Sequence, residues 1–571
     1  MATLFLGAVL SSSAQAPKLN WVSVQDGEGL EIGKSIEKTT DGNVVIMSEF
    51  NTREEYPNTE YSLLNLADGT KTVEKTLVGA PDTFGSNGNT NMAVYKVDIN
   101  TGKMIWSINT NIGGFGDSYM TATPDNGMML LLKMRHTSLG AMYKDTLCQF
   151  VDKDGEKTTI KLDFPSDYEK APFFPLLVKL DENGKIAWTK LFEVKYGSWN
   201  VNGSAIDHTD NFDLGGIVAD EEGNIYFSGI YRTAINFGEK ANFTSSRNAA
   251  DWNGDTQTKK GDLFVVKMNA AGEAIWGMTT AGEAIECESP KGMAIEDNQL
   301  YVSGYMKGNG QAAVHMGDHK VVPSQYNTLF LTALSTDNGQ FAWTKVFPTE
   351  VNDGCNKPNI KPMGMSFVAG HLYLYGSFQG NIIDGEKAVL SSPVKKLNAY
   401  ILDCKATDGT FLNGIHINNP ENPNAIIEVG SCHAIGDKVY ATGYDLFADS
   451  YIYAMDNQLS TESLKTYPIK QSAMGTSQDA AYVDNKVINV TRLKNTATLP
   501  GFDWTYTAVK TGSTNWACMY TCHTLKDDTT GISPIETTVN KTQVIYDLSG
   551  RRVTKATKGL YIINGKKVFI N

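Results

Sequence analysis

An all-β fold of repeated four-stranded antiparallel units is what this 571-residue sequence predicts. The first observation is a strand, turn and strand motif closed by tryptophan. It reads MAVYKVDINTGKMIW from Met92 to Trp106, with a turn on Asp98, Asn100, Thr101 and Gly102. It returns as LLVKLDENGKIAW (Leu176 to Trp188), LFVVKMNAAGEAIW (Leu263 to Trp276) and LFLTALSTDNGQFAW (Leu329 to Trp343), and more weakly as AYILDCKATDGTFL (Ala399 to Leu412). The second is a small-residue hairpin with seven copies, among them SIEKTTDGNVVIMSEF (Ser35 to Phe50), GIVADEEGNIYFSGIY (Gly216 to Tyr231), GMSFVAGHLYLYGSF (Gly364 to Phe378) and DAAYVDNKVINVTRL (Asp479 to Leu493). Asp-Gly, Glu-Gly, Ala-Gly and Gly-Asp pairs supply its turns between β-branched and aromatic runs. The third is composition: 53 glycines against 18 prolines, as many short strands joined by turns require. Two hairpins make four strands per repeat, and a sheet of four strands cannot bury both faces alone. Seven such units read as a seven-bladed β-propeller, each blade packed on the next.

Taken in order, the chain opens on MATLFLGAVLSSSAQA, an apolar run from Leu4 to Leu10 followed by small polar residues. Ala14-Gln15-Ala16 fits a signal-peptidase site, so residues 1–16 read as a signal peptide, with a disordered tail as the plainer alternative. No later apolar run reaches the ~20 residues that span a bilayer, so an integral helical membrane protein is not expected. The propeller is placed at 17–528. Trp21 precedes Asp41 by twenty residues, much as Trp276 precedes Asp297 by twenty-one. Trp21 therefore belongs to a tryptophan strand without a hairpin partner. WACMYTCHTL (Trp516 to Leu525) has strand character and no second half, so first and last strands are expected to pair and close the ring. The stretches Asn51 to Asn89 and Phe237 to Gly261 break the rhythm and are expected to be surface loops.

After Asp528-Thr529-Thr530-Gly531 the pattern changes. Residues 529–541 read as a linker and 542–571 as a small β domain with turns at Ser549-Gly550, Lys558-Gly559 and Asn564-Gly565. It is basic where the propeller is acidic, through Arg551, Arg552, Lys555, Lys558, Lys566 and Lys567. The net charge of -13 over the whole chain argues against nucleic acid, whose phosphates call for basic surface. Seven cysteines form no CxxC pair, so zinc of that kind is not supported. Cys518 and Cys522 would share a strand face about 13 Å apart, too far for a mutual disulfide. Most of the cysteines read as small buried apolar residues.

Two resemblances follow from quoted residues. YDLSGRRV, then GLYIIN, then the Lys-Val-Phe-Ile ending resembles the type A C-terminal sorting domain of type IX secretion substrates in Bacteroidota. The resemblance covers about thirty residues. It implies export across the outer membrane, the type IX machinery as partner, a surface polysaccharide as a possible anchor, and a secreted or cell-surface location. A β tail that merely packs on the propeller is the plainer reading. The motif Asp98-x-x-Thr101-Gly102-Lys103-x-x-Trp106 resembles the tryptophan-docking repeat of quinoprotein-like propellers, where tryptophan packs between blades. That role is structural, and the chain has no vicinal Cys-Cys pair of the kind many quinone enzymes carry, so no organic cofactor is expected. A sialidase Asp-box does not fit either: it puts its aromatic three residues after glycine, and Gly184 to Trp188 is four.

Two constellations could carry chemistry. DWNGDTQTKKGD places Asp251, Asn253, Asp255 and Asp262 at positions 1, 3, 5 and 12 of a calcium loop. Thr256 stands where glycine is needed and Lys259 at position 9, so a solvated loop competes with the calcium reading. The other is a recurring acid just before the small-residue strand: Asp117, Asp213, Glu288, Glu428 and Asp479. Inner strands of a propeller line its channel, so these acids, with His208 and His433 nearby, are expected at one channel mouth. There they would bind a cation or basic ligand, raise one another's pKa, or simply be solvated. The expected function is a binding or scaffold protein for a glycan, peptide or protein. A glycan-directed hydrolase or lyase working with the mouth acids is the alternative.

Overall fold

The structure, a computed structural model, describes residues 16–79, 89–112, 115–135, 146–161, 173–195, 198–201, 204–207, 212–232, 234–245, 261–282, 286–287, 292–392, 396–419, 422, 425–446, 449–470, 477–509, 516–525, 545–546, 552–553, 559–563 and 566–570. Among them it is nearly all β, with one 3-10 turn at Thr461–Ser463 and no α-helix. Among the described residues no helix is long and apolar enough to cross a membrane.

Pro17–Leu525 forms one compact unit. Seven antiparallel four-strand series can be traced through its described residues. The first runs Glu31–Lys38, Val44–Thr52, Asn89–Val97, Met104–Ile112. The second runs Phe115–Ala122, Met128–Arg135, Phe173–Leu180, Ile186–Leu191. The third is Phe212–Ala219, Ile225–Tyr231, Asp262–Met268, Ala274–Thr279. The fourth is Gly292–Glu296, Gln299–Lys307, Thr328–Ser335, Phe341–Glu350. The fifth, Asn359–Val368, His371–Asp384, Asn398–Lys405, Phe411–Ile417, joins the fourth through Thr349↔Ile382 and Glu350↔Asn381. The sixth is Ile427–Ile435, Lys438–Asp445, Ser450–Asp456, Lys465–Lys470. The seventh takes Ser477–Val483, Lys486–Leu493 and Ala517–Thr524 from the end of the unit and Lys18–Gly27 from its start, with Val22 opposite Thr521.

The second strands explain the burial. Ile225–Tyr231 is buried along its whole length, because neighbouring sheets cover both of its faces. Apolar clusters accordingly lie between sheets rather than within them. Val45 and Met92 of the first sheet meet Leu130 and Val178 of the second. Equivalent clusters join second to third, third to fourth, fourth to fifth, fifth to sixth and sixth to seventh. One more joins the seventh to the first, through Trp21, Val490 and Tyr520 against Ile36, Val44 and Tyr95.

The tryptophan motif does the docking, and each indole sits on the turn of the next sheet. Trp21 donates its Nε1–H to Ile99 O (2.9 Å), Trp106 to Glu182 O (2.9 Å) and Trp276 to Thr336 O (3.0 Å). Gly102, Gly184, Gly272, Gly339 and Gly409 occupy the receiving turns at φ between +70° and +77°. A Cβ on Gly184 would lie 2.4 Å from the Trp106 ring. Glycine is therefore required twice, by backbone conformation and by the indole.

The stretch expected as a loop between Asn51 and Asn89 contains a hairpin, Asn58–Leu64 with Lys71–Val78, that extends the seventh sheet by pairing with Lys18–Gly27. Its turn repeats the docking geometry: Trp504 donates to Leu66 O at 2.8 Å and packs on Gly69, at φ +73°. The hairpin escaped recognition because its second strand is mostly exposed and polar, with no apolar alternation to find. Of the second insert, Asn242–Thr244 pairs with Ala234–Asn236. Cys148, Cys355, Cys404, Cys432, Cys518 and Cys522 are free and buried.

In the second compact unit, Arg552–Val553, Ile545–Tyr546, Gly559–Ile563 and Lys566–Ile570 form an antiparallel sheet in that order. Residues 1–15 of the expected signal peptide (1–16) and the expected linker 529–541 lie outside the described residues.

Candidate functional site

A cavity of about 530 Å³ is lined by the first strands of all seven sheets. Six of those strands slip register once, between Gly33 and Ser35, Phe115 and Ser118, Leu214 and Ile217, Pro362 and Gly364, Val429 and Ser431, and Ser477 and Asp479. A bulge re-aims the extra residue out of the ladder. Here it presents Lys34, Asp117, Gly216, Met363 and Gly430 to the cavity.

Among the expected mouth acids, Asp117 and Asp479 line this cavity. Asp117 is exposed. Asp479 accepts the Ile36 amide at 3.0 Å, which ties the seventh sheet to the first, and the Ala480 amide at 2.8 Å. Burial lifts its pKa to about 6 against those hydrogen bonds. Glu37, also in the lining, is pushed up to about 8 by burial and then by the Asp479 charge. The Asp479 charge thus adds to burial in disfavouring the ionised form of Glu37.

Asp213 and Glu428 are consumed by cations. Asp213 holds Lys133 of the second sheet at 2.9 Å and Arg232 at 2.8 Å. Burial opposes its ionisation, yet the two cations bring its pKa down to about 2. Glu428, 3% exposed, takes Lys361 of the fifth sheet at 2.9 Å, Ser377 Oγ at 3.1 Å and the Tyr444 hydroxyl. Lys361 and Tyr444 face the cavity, so Glu428 stands behind them. His433 stacks on Tyr482 (ring centroids 5.3 Å), and burial then the Lys38 charge lower its pKa to about 4. It is neutral at pH 7 and lies outside the cavity lining. Glu288 and His208 fall outside the described residues, as do Asp251, Asn253 and Asp255 of the calcium candidate. Its remaining member, Asp262, is buried in a strand and accepts Ser245 Oγ at 2.8 Å. No group of three or more His, Cys, Asp or Glu among the described residues is placed to hold a metal.

Sequence reading passed over Lys34, Glu37, Lys361, Tyr375 and Tyr444. For Lys361 a signal existed. Asp213, Glu428 and Lys361 each pair opposite the residue that follows the second-strand glycine, namely Ile230, Tyr444 and Ser377. One column of the repeat thus holds acids in two sheets and a lysine in a third, and the lysine pairs with the acid of the sheet beside it. Beyond Lys361, the cavity rim carries an ion pair of Lys34 with Glu49 at 3.1 Å. The site is therefore of mixed charge.

No protein-family model matches the sequence, and no curated protein matches it. Solved structures of similar architecture are β-propellers. They include the Dos1 propeller (8% identity, 90% of this chain and 95% of that one, TM-score 0.40). The quinohemoprotein alcohol dehydrogenase of Comamonas testosteroni follows at 11% identity, 91% and 78% coverage and TM-score 0.36. The β-propeller domain of the Trilobed protease from Pyrococcus furiosus gives 8% identity, 85% and 99% coverage and TM-score 0.34. No residue role is carried over at these identities.

Proposed function

We propose that the protein is an exported, surface-associated binding or scaffold protein built on a closed seven-bladed propeller, with its ligand site in the central cavity. The seven sheets and the apolar cluster between the seventh and first support the ring. The resemblance of the basic tail to a type IX sorting domain supports secretion by that machinery, with polysaccharide anchoring at the outer surface. The observation that carries the functional reading is the cavity itself. It is wide enough for a glycan unit or a peptide segment, and it offers Lys34, Lys361, Tyr444 and Asp117 at once.

The alternative, a glycan-directed hydrolase or lyase, draws its support from Glu37 and Asp479, whose raised pKa values suit proton transfer. Binding is favoured because Asp213 and Glu428 are locked in ion pairs and His433 is outside the lining. The test is a glycan and peptide array probed with the purified chain and with Asp117→Trp, which places an indole in the cavity from an exposed position. Ligands bound by the native protein and lost by the variant support the reading. Ligands kept by the variant, or silence throughout, refute it. Release of new reducing ends, abolished by Glu37→Gln, would instead establish the enzyme.

A further inference from the structure

The strand that completes the seventh sheet ends on a short acidic connection, Asp26-Gly27-Glu28-Gly29-Leu30-Glu31. Asp26 and Glu31 are 2% and 1% exposed. Oδ2 of Asp26 accepts the Tyr506 hydroxyl at 2.5 Å and the Val509 amide at 2.9 Å. Neither carboxylate oxygen of Glu31 makes a hydrogen bond of full geometry, and the polar groups beside it are the Thr59 hydroxyl and the Gly27 amide. Thr59, 1% exposed and directly across from Gly27, turns its hydroxyl towards the Glu31 carboxyl. A Cβ on Gly27 would meet Glu31 Oε1 at 3.0 Å and Asn58 O at 3.1 Å, so glycine keeps this oxygen-rich corner open. Lys71, the cation whose field reaches Asp26, is itself paired with Glu60 at 2.8 Å.

An ionised carboxylate buried without a partner is too costly to persist. Glu31 is therefore either neutral or balanced by a charge from outside the chain. Two adjacent buried carboxyls with a hydroxyl of the facing strand turned towards them are more than a neutral acid needs. They match the oxygen-only, irregular coordination that calcium accepts. We propose that a divalent cation of the calcium class binds at this seam, held by the carboxylates of Glu31 and Asp26 and the hydroxyl of Thr59. The ion ties together the N-terminal strand, the inserted hairpin and the first sheet. This place is separate from the 251–262 loop and does not depend on what the central cavity binds.

The test uses the metal-depleted full chain, melted in chelator and in saturating calcium chloride, with bound calcium counted by atomic emission. The expected result is about one calcium per chain and a rise in Tm of about 2 °C or more, both lost in Glu31→Gln. Should that variant not fold, Thr59→Val serves, with calcium affinity expected to fall about tenfold. Absence of a calcium effect on the native chain overturns the proposal and leaves Glu31 as a protonated acid. An equal effect on the native chain and the variant also overturns it, since the ion would then sit elsewhere.

Discussion

The pairing of tryptophan and glycine across neighbouring sheets makes a prediction in which strain and packing can be separated. Gly42 and Gly184 have nearly the same backbone, φ +79° and +77°. A Cβ on Gly42 meets nothing within 4 Å, whereas on Gly184 it meets the Trp106 ring at 2.4 Å. Gly42→Ala should therefore cost only the left-handed backbone penalty, about 1–2 kcal/mol. Gly184→Ala adds overpacking against a nearly buried indole, about 1–3 kcal/mol more. Trp106→Ala removes that ring and its hydrogen bond and should cost about 3–5 kcal/mol. In the Trp106→Ala background the alanine at 184 meets open space, so its cost should fall back to that of Gly42→Ala. The assay is urea unfolding followed by tryptophan fluorescence and circular dichroism, run on the four single and double variants. Additivity of Gly184→Ala and Trp106→Ala within about 0.5 kcal/mol would refute the docking argument, because it would mean that glycine serves the turn alone.

Two charged groups give further tests. Asp213→Asn should cost about 3 kcal/mol at pH 7, since Lys133 and Arg232 lose their shared carboxylate. Its folded pKa is depressed, so the native advantage is present above the ordinary carboxyl value and lost as pH falls from about 4 towards 2; chemical unfolding at pH 7 and pH 2.5 should show the gap between native and variant closing. Glu37 has the opposite sign. Its folded pKa is raised, so stability is highest below about 4.5 and declines as pH climbs towards 8. Glu37→Gln should flatten that decline in a series of melts; an unchanged slope would mean that burial does not hold the Glu37 carboxyl above its ordinary pKa.

The repeat and its tryptophans could be read from the chain because they are periodic and chemically distinctive. The pairing of Trp21 with the Trp516 to Leu525 strand followed from counting hairpins, and the strands Lys18–Gly27 and Ala517–Thr524 do pair. Side-chain direction at the cavity was a different matter. Asp117 and Asp213 both precede a small-residue strand, so they look equivalent. A slip of one residue reverses the face a strand presents. Asp117 sits within the slip between Phe115 and Ser118 and is exposed, while Asp213 lies ahead of the slip between Leu214 and Ile217 and turns to Lys133 and Arg232. Nothing in the local sequence marks a bulge, since the same small-residue pattern precedes strands that slip at different places. The partner of each acid was equally hidden, because Lys133 and Asp213 are eighty residues apart.

The weak fifth copy of the motif shows that tryptophan and glycine vary as one unit. Trp106, Trp188, Trp276 and Trp343 stand opposite Lys96, Lys179, Lys267 and Ala333. The matching place in the fifth sheet, opposite Asp403, is Asn413. The turn that would receive an indole from it, Asp456 to Leu459, then lacks its glycine: Leu459 takes the left-handed conformation at φ +52° and accepts the strain. Its side chain is 3% exposed and packs in the cluster of Ile415 and Tyr453. A leucine here costs the backbone about 1–2 kcal/mol and returns about 1.5–3 kcal/mol by burial, so the exchange is close to neutral once the ring is gone. Where the ring is present, no side chain fits and glycine is the only solution. In the receiving turns the indole of the neighbouring sheet thus adds a second demand for glycine to the one that the left-handed backbone makes.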